Sequence, residues 1–257
     1  MKNNILCAVA ISSIIGLSGC ATVANMAGAD TATLNASSAK SYNALLAEAR
    51  NKGQLDTSSN TYRRINNVFV RLQPHANQLN QTGYPFQWQL AVLKNNELNA
   101  MVAPGGKVIF YTGIVEKLNL TDAEIAAIMG HEMVHALEEH AKSKIGAQAL
   151  TDLALGIGLS AAGVGQGGSA LAQIGSQVGV GLPYSRNLES RADQGGLVLM
   201  ARGGYNPEAA ITLWQKMNKA QGGSGSAFLS THPSNSQRIE AMRKNLPAAQ
   251  AIYQQRK

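Results

Sequence analysis

Apolar side chains recur at helical spacing through much of this chain. Ile65, Val68, Phe69 and Leu72 fall at i, i+3, i+4 and i+7, which predicts a helix over 60–72 that Pro74 interrupts or ends. Upstream, 41–50 reads as a short helix stopping ahead of Gly53. Residues 21–40, rich in Ala, Thr, Ser and Asn, read as a tether with little to bury. The period then changes. Residues 86–93 alternate polar and apolar positions, and 98–103 and 107–112 are two further strands joined by a turn at Pro104-Gly105-Gly106. These predict a small antiparallel sheet.

Helical spacing returns at Thr121. Thr121 and Glu124 form a capping-box pattern, Asp122 suits the positive end of the helix dipole, and Ile125, Ile128, Met129 and Val134 are placed to bury the helix. Residues 153–185 carry no formal charge and are rich in Gly, Ala and Ser. Their length would permit a membrane span, but the glycine run and Gln166, Gln173 and Gln177 favour a helical hairpin or a mobile loop over a cleft. Helices are predicted over 187–202, from Asn206-Pro207 to 220, and over 235–245. The fold class expected is α+β, mainly helical, with the small sheet beside the Thr121 helix.

Composition narrows the picture. A chain of 257 residues that is 45% hydrophobic holds a substantial core, and 41–257 reads as one domain. The net charge of +7 is spread over scattered basic residues with few aromatics, which speaks against nucleic acid as a partner. Residues 1–19 look like a signal peptide: Lys2, an apolar run from Ile5 to Leu17, then Leu17-Ser18-Gly19-Cys20. That ending resembles the lipobox of bacterial lipoproteins, which implies cleavage before Cys20, lipidation of it, and a membrane anchor with 20–40 as the lipid-anchored tether. Ala21, rather than aspartate, follows the cysteine, which by resemblance to the sorting rule of enteric bacteria implies the outer membrane, facing the periplasm. The plainer alternative is a secretory signal with a chance cysteine. With Cys7 lost and Cys20 acylated, the mature chain would have no disulfide.

The chemistry concentrates in the Thr121 helix. His131 and His135 stand four residues apart, so both imidazoles project from one face and can bind one ion. Glu132 beside them is placed as the general base of a His-Glu-x-x-His site. Chance spacing on a buried helix is the alternative. A catalytic zinc needs a third protein ligand and an open position. A histidine six residues after His135 is not available, because Ala141 stands there, and His140 is out of helical phase with His131. His75, near a helix end, is read as no ligand. Glu189 is the better third ligand, with Asp193 one turn on to accept the second ring N–H of a ligand histidine. The pair also fits a solvated helix face with Arg186 and Arg191 nearby. Asn99, Ala100 and Met101 open a stretch that, as an edge strand above the metal, would pair with an extended peptide, or would otherwise be a plain hairpin.

His131-Glu132-Met133-Val134-His135, Glu189-Ser190-Arg191-Ala192-Asp193 and His232-Pro233 with Arg238 resemble, in this order, the CAAX-prenyl-protease and HtpX family of zinc peptidases, peptidase family M48. The resemblance covers about residues 60–245 and includes the Asn99-Ala100-Met101 strand. It implies a gluzincin with one zinc on His131, His135 and Glu189, Glu132 as base and Asp193 as supporting acid. It also implies His232 at the oxyanion or substrate and Arg238 orienting that region. The chain is most similar to short periplasmic lipoprotein members, which implies an endopeptidase acting on unfolded or misassembled envelope proteins in outer-membrane quality control. The other classes left open are a chaperone-like assembly factor and a latent lipoprotein whose cleft does not cut.

Overall fold

A computed structural model describes residues 19–154, 183–220, 227–233 and 236–256. The expected hairpin or loop over 153–185 lies largely outside them. The order is α1 (Thr31–Asn51), β1 (Leu55–Asp56), α2 (Asn60–Leu79), β2 (Gln89–Leu93), β3 (Ala100–Ala103), β4 (Lys107–Tyr111), α3 (Thr112–Lys117), α4 (Asp122–Leu137), α5 (His140–Ala154), α6 (Arg186–Arg202), α7 (Ala209–Ala220), α8 (Ala227–Thr231) and α9 (Ser236–Gln254). The α+β, mainly helical class holds.

The sheet runs β1-β2-β4-β3, and it is mixed rather than antiparallel. β2 and β4 pair in parallel, while β3 folds back against β4 through the Pro104–Gly106 turn. Local patterning located the strands. It carried no information on which strand β4 would join on its other side. Gly106 turns with φ 81°, and the Trp88 ring lies 2.7 Å from where a Cβ would stand, so both backbone and packing require glycine.

Residues 21–40 are not a loose tether. A helical segment covers 19–26, and α1 begins at Thr31, capped by the Asp30 side chain accepting from the Thr33 N–H. Its buried face runs through Leu34, Ser38, Tyr42, Leu45 and Ala49. The reason is β4, buried along its whole length. Val108 and Phe110 face α2 and α4, while Ile109 and Tyr111 face the other way and pack with Tyr42, Leu45 and Ala49. A sheet apolar on both faces needs two covers, and α1 supplies the second.

Pro74 and Pro247 end no helix; α2 continues to Leu79 and α9 to Gln254. Both prolines are exposed, so the carbonyls they cannot serve face water.

α4 is the centre. Both halves of the Thr121/Glu124 capping box are formed, and every residue from Glu124 to Leu137 is buried. α2, α6, α7 and β3 all pack on it, α6 most extensively. α4 and α6 cross at Gly130 and Gly196. A Cβ on Gly196 would stand 3.0 Å from His131 N and 3.2 Å from His131 Cα, both backbone atoms. This close approach brings α6 side chains to the α4 histidines. Gly196→Val is therefore expected to lower stability by about 1–3 kcal/mol in a denaturant titration, by forcing the helices apart. An unchanged midpoint would contradict this account of the crossing.

Candidate metal centre and active site

Four side chains meet where α4 crosses α6. His131 and His135 project from α4, and Glu189 comes from the first turn of α6, whose start is fixed by the Ser185 side chain accepting from the Leu188 N–H. His232 follows α8, held by its N–H donating to the Phe228 carbonyl at 2.9 Å. One donor atom from each of the four lies within 4.8 Å of every other, and all four residues are buried. His131 Nε2 is 3.0 Å from His135 Nε2 and 3.1 Å from His232 Nδ1. Glu189 Oε1 is 3.2 Å from His135 Nε2 and 2.9 Å from His232 Nδ1.

Electrostatics favour donors without protons. Burial pushes His131 down, against Glu189 and Asp193, and pushes His135 well below its ordinary value. Burial works to raise Glu189, but His131, His135 and His232 outweigh it and hold the carboxyl far below the usual range. At His131 and His135 the balance favours the neutral ring, beside a Glu189 carboxylate. Glu189 Oε2 is buried without a directed hydrogen bond, although Arg238 Nη1 lies 2.6 Å away. Converging ring nitrogens, an anionic oxygen and an incompletely satisfied one suit a cation, and the imidazole-rich set suits zinc.

A supporting layer fixes the orientation. Asp193 Oδ1 lies 3.0 Å from His131 Nδ1, so that nitrogen takes the ring proton and Nε2 turns its lone pair to the cluster. Arg238 grips Asp193 twice, Nε to Oδ2 at 2.6 Å and Nη2 to Oδ1 at 2.8 Å. Its guanidinium also lies 3.7 Å from the centre of the Trp214 ring. Burial lifts Glu132 to about 7, with His232 and the Val102 backbone pulling the other way. Its Oε1 is buried without a directed hydrogen bond, and His232 Nε2 stands 3.4 Å away.

Glu132 and His232 line a cleft together with Asn99, Ala100, Met101 and Val102 of the β3 segment and with Tyr184, Ala227, Ser230 and Thr231. β3 is an edge strand among the described residues, paired with β4 alone.

The structure thus brings together His131, Glu132, His135, Glu189, Asp193, His232 and Arg238, with Asn99, Ala100 and Met101 along the cleft. His232 lies inside the cluster as a fourth donor rather than only beside it. His75 is outside it, and Cys20 sits in the 19–26 helix. His140 is no donor to the cluster, but helical phase is not the reason. α4 stops at Leu137, Glu139 adopts φ 51°, and His140 opens α5 with Nδ1 2.8 Å from His135 Nδ1. Three aromatic neighbours escaped the sequence reading. Tyr184 stacks on His135 with centroids 4.1 Å apart, Phe228 stacks on His232 at 4.5 Å, and Trp214 lies under Arg238. Trp214 is one of only two tryptophans, the one available signal; nothing local marked the other two.

Comparison with known proteins agrees with this geometry. The chain is 38% identical to the mitochondrial metalloendopeptidase OMA1 of Schizosaccharomyces pombe over 64% of its own length and 48% of the relative's. It is 28% identical to the metalloprotease LoiP of Escherichia coli, over 69% of this chain and 70% of LoiP. To the metalloprotease YcaL of Escherichia coli it is 26% identical, over 96% of this chain and 98% of YcaL. The chain spans from 31% to 50% of the length of the mitochondrial relatives it matches. A profile of Peptidase family M48 matches residues 60–246, a span that runs from α2 into α9 and holds every donor of the cluster, and the chain belongs to that family.

Proposed function

We propose that this chain is a zinc-dependent endopeptidase that cleaves unfolded or misassembled envelope proteins from a lipid anchor at Cys20 in the outer membrane. The observation that carries the hydrolase reading is the buried His131, His135, Glu189 and His232 cluster, of which His232, together with Glu132, lines the cleft along β3. Relatives named as metalloproteases and metalloendopeptidases support it. The anchor and the location rest on Leu17-Ser18-Gly19-Cys20 and Ala21 in the sequence.

Zinc on His131, His135 and Glu189 would supply Lewis acidity to the scissile carbonyl and make an attacking water more acidic. Main-chain groups of β3 offer strand pairing to an extended peptide, which requires an unfolded segment. Glu132, in a site screened from solvent, takes the proton of the water and returns it to the leaving amine. Asp193 holds the His131 tautomer, and Arg238 holds Asp193. His232, in the cleft wall, faces the carbonyl oxygen as charge develops there.

The test is cleavage of an unfolded outer-membrane protein by the purified chain, before and after chelation and with zinc returned. Activity that disappears with the metal and comes back with zinc is expected. Cleavage that persists in a verified metal-free sample would sink the reading. A Cys20→Ser variant that still fractionates with membranes would sink the anchor.

One observation favours a latent resting state as a second reading: His232 adds a fourth donor to the cluster, and if it bound the metal it would take the position that a reacting water needs. His232→Ala separates the two. It lowers activity if His232 serves the substrate and raises it if His232 blocks the site.

A further inference from the structure

His135 carries a second contact that the proposed reaction does not use. Its Nδ1 meets His140 Nδ1 at 2.8 Å, His140 Nε2 meets Glu138 Oε2 at 3.0 Å, and Arg191 Nε meets the same Oε2 at 2.6 Å. His135 and His140 are 1% and 0% exposed, so no solvent substitutes for these partners. We propose that His140, oriented by Glu138 and Arg191, is a positioning residue that sets the tautomer of His135 and aims its Nε2 lone pair into the cluster. The inference rests on the zinc reading above.

Proton accounting decides the direction of the chain. One hydrogen joins the two Nδ1 atoms, so one ring donates and the other accepts. If His140 donated, its Nε2 would turn a lone pair toward the Glu138 carboxylate, and His135 would carry its proton on Nε2, aimed into the cluster. The contact with Glu138 would then be repulsive, and although Nε2–H would find Glu189 Oε1 at 3.2 Å, that nitrogen would have no lone pair left for a cation. If His135 Nδ1–H donates to His140, then His140 Nε2–H donates to Glu138, both contacts of the relay have one hydrogen, and His135 Nε2 keeps its lone pair for a cation. The carboxylate settles the chain, and Arg191 favours its ionised form.

The backbone holds this relay in place. Glu139 takes the left-handed conformation that ends α4 and swings His140 back over His135. The turn is clamped on the other side by α1. Glu139 Oε1 accepts from the Thr31 hydroxyl at 2.5 Å, and the buried Lys142 Nζ donates to Thr31 Oγ1 at 3.0 Å. Asp193 does for His131 what Glu138 does for His135 through one more ring.

The experiment reads the tautomer and the metal separately, on the full chain. Long-range proton–nitrogen correlation on the metal-free protein is expected to show His135 protonated at Nδ1. Glu138→Ala should move protons toward Nε2, and zinc titrated against a chromophoric chelator should bind about 10–100-fold more weakly in His140→Phe. His140→Asn, whose Oδ1 can accept from His135, should recover most of that loss. Wild-type His135 protonated at Nε2, or zinc binding equal in wild type, Glu138→Ala and His140→Phe, would overturn the inference. If His140→Phe fails to fold, Glu138→Ala, altered at a partly exposed position, carries both readouts. Wild type that binds no zinc would instead overturn the metal reading and leave the tautomer result to stand or fall alone.

Discussion

Glu132→Gln is expected to keep its metal and fold while losing at least about 10²–10⁴-fold in kcat/KM on an unfolded substrate, since an amide cannot take a proton from water. Zinc content and the melting temperature measured on the same sample separate this loss from unfolding. Cleavage at the wild-type rate would remove Glu132 from the reaction. The pH profile gives an independent check. Burial places the Glu132 carboxyl at about 7 in the metal-free site, and a cation beside it favours the ionised form. Catalysis needs that ionised form, so activity of the loaded enzyme should fall on acidification through a limb lying below pH 7. In Glu132→Gln any residual activity should lack this limb.

The second large effect belongs to stability. Arg238 lies between two buried carboxylates, 2.6 Å from Asp193 Oδ2 and 2.6 Å from Glu189 Oε2, with its plane over Trp214. Arg238→Ala leaves both anions without their cation and should cost about 3–5 kcal/mol in denaturant unfolding of the metal-free protein. Arg238→Lys should recover only part of this, because an ammonium cannot hold both Asp193 oxygens and cover the ring. Zinc should narrow the deficit by neutralising Glu189. A loss below about 1 kcal/mol, the range of exposed pairs, would contradict the burial argument. The pH dependence follows from Asp193. Burial would raise it, but Arg238 and His131 hold it below 3.8, so its contribution is present above that pH and fades as pH falls through the native value. Without Arg238 this part of the acid sensitivity should shrink.

Two readings required more than local pattern. The stretch 21–40 looked unable to bury anything because its packing stripe uses Ser38 and Ser41 where a longer apolar residue would have announced a helix. Small side chains suffice there, since α1 lies flat on a sheet that already supplies Ile109 and Tyr111. Pro74 looked like a stop, yet it sits on the wet side of its helix, as Pro247 does in α9. Exposure of the orphaned carbonyl is a tertiary property.

The sequence by itself determined α4, its capping box, and the pairing of His131, Glu132 and His135, because helical period and capping act within a turn or two of chain. It also determined that Glu189 and Asp193 share a face, for the same reason. Only the tertiary structure decided that this face meets the histidines, at a crossing that Gly130 and Gly196 make close enough. It alone placed His232 within 3.1 Å of His131 and put His140 behind His135. Those contacts depend on where chain segments come to rest after Leu137 and Thr231. The fit of the whole core sets that, and no local spacing encodes it.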